Sequence, residues 1–130
     1  MGAISFYAWR HYKRLMQKDI LFLLPPGFAD NERREFCPEC AEIWGVLSYF
    51  PAIKEALEIV YQPIERPRRV MVDMLGSDNQ NCPTLVLGDG VDPGPHASAK
   101  EANGRIILDN ARDIAKYFTH RYGTPYPRGS

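Results

Sequence analysis

The sequence has no excess of either charge, no long apolar run and few cysteines, and each of these lacks narrows what the chain can do. Sixteen Lys and Arg balance sixteen Asp and Glu, so no net field draws the protein toward nucleic acid or an anionic membrane. The longest apolar run, Ile20 to Leu24, falls far short of the roughly 20 residues that cross a bilayer. Nor does the N-terminus have the order of a secretory leader, because Arg10, His11, Lys13 and Arg14 interrupt its apolar letters instead of preceding them. These features predict a cytoplasmic protein with no membrane or nucleic-acid partner. There, three cysteines do not make a disulfide framework, and a close pair points to redox chemistry or metal binding. P-loop, GxSxG, HExxH and GxGxxG patterns are absent too.

What is present suits one small domain at residues 18–126, preceded by an extension at residues 1–17. In the extension Phe6, Trp9, Tyr12 and Lys13 have helical spacing, but the segment is too short to hold a helix alone. Lys18 to Leu24 reads as a strand covered on both faces, since its apolar residues do not alternate. A polar loop through Asp30 to Glu35 leads to Cys37-Pro38-Glu39-Cys40. Ile43, Val46, Leu47 and Phe50 then follow i, i+3, i+4, i+7, which predicts a helix with one buried face. Pro51 kinks or restarts it. Further elements are a strand at 58–62, a helix over 66–75 ended by Gly76, and strands at 84–87 and 105–108. A final helix is capped by Asp109 or Asn110, with Ile114, Tyr117 and Phe118 turned inward. Gly88 to Gly104 reads as a long loop. Trp44, Tyr49 and Phe50 suit the core and its edge, and Arg66, Arg68 and Arg69 a solvated face.

The order is β-α-β-α-β-β-α, with CxxC at the first helix start and Cys82-Pro83 opening the third strand. In this layout the chain resembles the thioredoxin-like superfamily. Asn81-Cys82-Pro83-Thr84-Leu85-Val86 and the run from Ile107 to Phe118 are similar to the N-terminal domain of glutathione transferases and glutaredoxins. Phe36 to Pro51, FCPECAEIWGVLSYFP, resembles a bacterial family of uncharacterised thioredoxin-like proteins, DUF3088. The resemblance implies an α/β fold with a four-stranded mixed sheet flanked by helices. It also implies a cis bond before Pro83, and a Cys82-Pro83-Thr84 segment that holds an extended substrate against the CxxC motif. Asn110 stands where the transferases usually carry Ser, which argues against a glutathione γ-glutamyl site.

Two chemistries follow for the cysteines. At a helix start, free N–H groups and the helix dipole stabilise a thiolate, so Cys37 is the candidate nucleophile of a thiol–disulfide oxidoreductase and Cys40 its resolving thiol. Glu39 opposes that charge, and Arg33 and Arg34 offset it if the loop folds over. Such an enzyme needs a thiol or disulfide partner, a substrate protein or glutathione, and no resident cofactor. Alternatively, the protein is a non-catalytic binding module in which Cys37, Cys40 and Cys82 hold zinc or an iron–sulfur cluster, with His11, His96 or His120 as fourth ligand.

Overall fold

The structure, a computed structural model, describes residues 18–130. The expected extension at residues 1–17, with His11, lies outside the described residues.

Strand β1, Asp19–Leu23, is the centre of the architecture. Leu21, Phe22 and Leu23 are fully buried, as an apolar run without alternation requires of a strand covered on both faces. After β1 comes a feature read above as loop. Strands β2, Phe28–Asp30, and β3, Arg33–Glu35, form a separate antiparallel hairpin. Its turn is Asn31-Glu32, both at positive φ (52° and 59°), the left-handed pair a two-residue hairpin turn uses. Helix α1, Pro38–Tyr49, follows, and Pro51 restarts the chain as the short α2, Pro51–Glu55.

Strand β4, Leu57–Tyr61, pairs in parallel with β1, as a connection through a helix allows. Helix α3, Arg69–Leu75, is shorter than the expected 66–75. Pro67 lies before it, and Arg68 at its N-cap is extended (φ −85°, ψ 94°). Strand β5, Thr84–Val86, runs antiparallel to β1. Strand β6, Lys100–Ala102, comes from within the segment read as loop and pairs antiparallel with β7, Arg105–Leu108. The turn between them is Asn103-Gly104, again with both φ positive (49° and 77°).

The main sheet therefore has five strands in the order β4-β1-β5-β7-β6, not four. With four helices among the described residues, this mixed α/β arrangement is consistent with a thioredoxin-like domain. Helix α4, Ala111–Tyr122, is capped by Asn110, whose side-chain oxygen accepts the Asp113 N–H at 2.9 Å. Ile114, Tyr117 and Phe118 are fully buried. Tyr49, by contrast, is 81% exposed and belongs to no core.

One polar network ties β1 to α4. The buried Asp19 carboxylate accepts the Gly88 N–H at 2.7 Å and the Tyr117 hydroxyl, with Arg121 at 3.9 Å. Burial and the Asp19 carboxylate push the Tyr117 phenol far above its ordinary range, so it remains a donor.

Candidate functional site

The site is built where β1 ends, α1 begins and the chain enters β5. Cys37 is the N-cap of α1, with extended backbone (φ −83°, ψ 114°). Pro38 occupies the first helical position, where a missing N–H costs nothing. The Cys37 Sγ does the work usually given to a Ser or Asp cap: it accepts the Cys40 N–H at 3.2 Å.

Cys40 sits one turn further on and faces inward, 3% exposed, while Cys37 is half-buried. Burial, and then the hydrogen bond with Cys37, pushes the Cys40 thiol well above its ordinary value. The two sulfurs of one motif thus differ sharply in environment.

The other wall is the segment before β5. The Cys82–Pro83 peptide bond is cis, and so is Arg66–Pro67. The Cys37 thiol donates to the Cys82 carbonyl across a long 3.8 Å contact. Thr84 is buried and its hydroxyl donates to the Asn81 carbonyl at 2.6 Å, closing the turn that carries Pro83. Cys82 is 6% exposed, and its thiol faces the Met71 thioether at 3.8 Å. Burial pushes the Cys82 thiol up to about 11, while the positive charge of Arg68 draws it down.

The charges around the motif are arranged differently from the expectation above. Glu39 reaches across to α4, where its carboxylate accepts the Ala111 N–H at 3.5 Å. Its negative charge lies against the positive end of that helix. Arg33 is engaged with Glu35 of its own hairpin at 2.8 Å. The arginines near α3 are not a uniformly solvated face: Arg68 is 5% exposed and donates to main-chain carbonyls.

The three-sulfur metal set is not formed. Among the described residues, no group of three or more His, Cys, Asp and Glu side chains is placed to hold a metal ion. The two histidines among the described residues pack elsewhere. His96 stacks edge-on against Tyr126, and His120 packs on Gly94 with Asp92 4.0 Å away.

Beside Cys37 opens an apolar groove of about 260 Å³, walled by Pro25, Pro26, Phe36, Cys40 and Trp44. Phe36 is 62% exposed at its lip. Trp44, expected at the core and its edge, packs against the core and also forms a groove wall. Trp44 lies one turn beyond Cys40 on α1, a spacing that could have marked it, whereas nothing local marks Pro25 and Pro26 as walls. Likewise, no local pattern marks Met71 or Arg68 as neighbours of Cys82.

Fold and site together define a small mixed α/β domain with an unequal pair of thiols at a helix start and a third cysteine across from them. The chain belongs to the protein family of unknown function DUF3088, whose family model matches residues 18–126. No curated protein and no solved structure matches it significantly. Among the described residues, no helix is long and apolar enough to cross a membrane.

Proposed function

We propose that the protein is a cytoplasmic thiol–disulfide oxidoreductase that reduces disulfides of polypeptides. The observation that carries this reading is the asymmetry of the CxxC pair: a half-buried Cys37 whose sulfur caps α1, above a buried Cys40. That difference supports a division of roles in which Cys37 meets an external sulfur and Cys40 then resolves the mixed disulfide.

In the forward reaction the Cys37 thiolate attacks one sulfur of the substrate disulfide. A bond forms between Cys37 and that sulfur, the substrate S–S bond breaks, and the departing sulfur takes the electron pair and then a proton. Cys40 next loses its proton and attacks the Cys37 Sγ. A Cys37–Cys40 bond forms, and the second substrate sulfur leaves as a thiolate and is protonated. The substrate gains two electrons and two protons, and the protein loses the same. A thiol reductant such as glutathione reverses the change in the protein, two molecules yielding one glutathione disulfide. The Cys82-Pro83-Thr84 segment and the apolar groove supply the surface for an extended polypeptide.

The test is catalysis of insulin reduction by dithiothreitol. We expect acceleration by the wild-type protein and none by Cys37→Ser. Cys40→Ser should accumulate a mixed disulfide through Cys37, read by intact mass. A wild-type protein that neither accelerates insulin reduction nor exchanges with glutathione disulfide sinks the reading.

A further inference from the structure

Arg68 is a buried cation that the exchange chemistry above does not use. Its guanidinium donates to three main-chain carbonyls: Nε to Pro63 at 2.9 Å, Nη1 to Gln80 at 2.6 Å and Nη2 to Ile64 at 3.1 Å. Its backbone N–H donates to the Gln80 side-chain oxygen at 2.7 Å, and the Gln80 amide donates in turn to the Ser77 carbonyl at 2.8 Å. Arg68 and Gln80 are both at least nine-tenths buried. Arg68 therefore grips Gln80 at its main chain and its side chain, two residues before Cys82.

These bonds satisfy three of the five guanidinium N–H groups and leave the charge unneutralised. No ion pair among the described residues includes Arg68. A buried charge is ordinarily paired, because removing it from water is costly and a carbonyl dipole only partly compensates. What it acts on is sulfur: its positive charge draws the Cys82 thiol down against the effect of burial, and Cys82 in turn touches Met71 and presents its carbonyl to Cys37.

We propose that Arg68 is a positioning residue of the thiol site, clamping Gln80 so that the Cys82 carbonyl meets the Cys37 sulfur and holding an unneutralised positive charge beside Cys82. Its chemical purpose rests on the exchange reading, since the clamp fixes the Cys82 carbonyl that the Cys37 sulfur meets at 3.8 Å. The clamp itself does not depend on that reading. It joins the end of β4, through Pro63 and Ile64, to the entry of β5.

The test uses the full chain with Cys37→Ser and Cys40→Ser, so that Cys82 alone titrates. Its Cβ chemical shift is followed with carbon-13-labelled cysteine as the pH rises. We expect Arg68→Gln to move the Cys82 titration upward by about one pH unit and Arg68→Lys to leave it near the parent. With the cysteines restored, Arg68→Gln should slow insulin reduction about tenfold by loosening the Cys82 carbonyl, and Arg68→Lys, which keeps the charge but not the fork, should recover only part of that loss. A folded Arg68→Gln protein with an unmoved Cys82 titration overturns the proposal. If Arg68→Gln does not fold, Arg68→Lys decides. Retention of the parent titration supports the proposal, and a fall toward the range of an exposed thiol overturns it by showing a merely structural fork. A wild-type protein inactive on insulin, with the Cys82 titration still following the charge at residue 68, counts against the exchange reading and supports the placement of Arg68.

Discussion

Cys37 and Cys40 are the same side chain with only Pro38 and Glu39 between them, yet the fold gives them different surroundings. The cap position turns the Cys37 sulfur toward N–H groups, and the inner face of α1 turns the Cys40 sulfur into apolar packing. Cys82 shares that inward fate, and its thiol has a consequence that can be measured. Its ordinary value of 9.0 rises to about 11 in the fold, chiefly through burial. The folded protein thus holds this proton more tightly than the unfolded chain does. The contribution is fully present below about pH 9 and is lost as the pH climbs through about 11. At roughly 1.4 kcal/mol per unit, it is worth on the order of 3 kcal/mol. We expect the urea midpoint of the reduced protein to fall between these pH values, and Cys82→Ala to flatten that part of the profile. An unchanged slope in Cys82→Ala would assign the alkaline loss to other groups.

Two hairpins decide how the elements meet the site. The β2–β3 hairpin delivers the chain into Phe36 and Cys37, and its turn places Glu32 at φ 59°, where an L side chain carries steric strain that glycine does not. Glu32→Gly should raise stability by about 1 kcal/mol without altering the reaction of Cys37 with iodoacetamide. A lowered melting temperature would contradict this account of the turn. The β2–β3 hairpin and strand β6 lie where the sequence reads as loop, for a physical reason. Arg33-Arg34-Glu35 and Lys100-Glu101 are exposed edge segments, so they carry little of the apolar patterning that marks a strand. The Asn103-Gly104 pair was the local signal that should have announced the second hairpin. For Asn31-Glu32, only Asn hinted at a left-handed turn. At α3, Pro67 cut three residues from the helix expected over 66–75, because a proline and the residue before it resist helical backbone.

Over the whole molecule, stability depends on β1 and β5 lying side by side beneath the thiols. Leu85 is fully buried and pairs with Leu21 on one side and Leu108 on the other. Leu85→Ala should cost about 2–5 kcal/mol, seen as a lower urea midpoint, and should loosen the strand that follows Pro83. A cost under 1 kcal/mol would mean that the core collapses around the gap. The Asp19–Tyr117 contact adds a polar tie between the far ends of the described chain, 98 residues apart.

The order of residues was enough to mark β1, since an unbroken apolar run has few other places to go. It was also enough to set Cys37 and Pro38 at a helix start, where the cap and proline preferences are local, and to turn Ile114, Tyr117 and Phe118 inward by their spacing. The division of labour among the thiols belongs to the tertiary structure. Which sulfur is covered, that Cys82 faces Met71 instead of the CxxC pair, and that Arg68 is buried against Gln80 all follow from contacts between residues far apart in the chain. Burial and charge act through space, and no local pattern records them. The CxxC motif states that two thiols are close; the packing around it decides which of them is available to react.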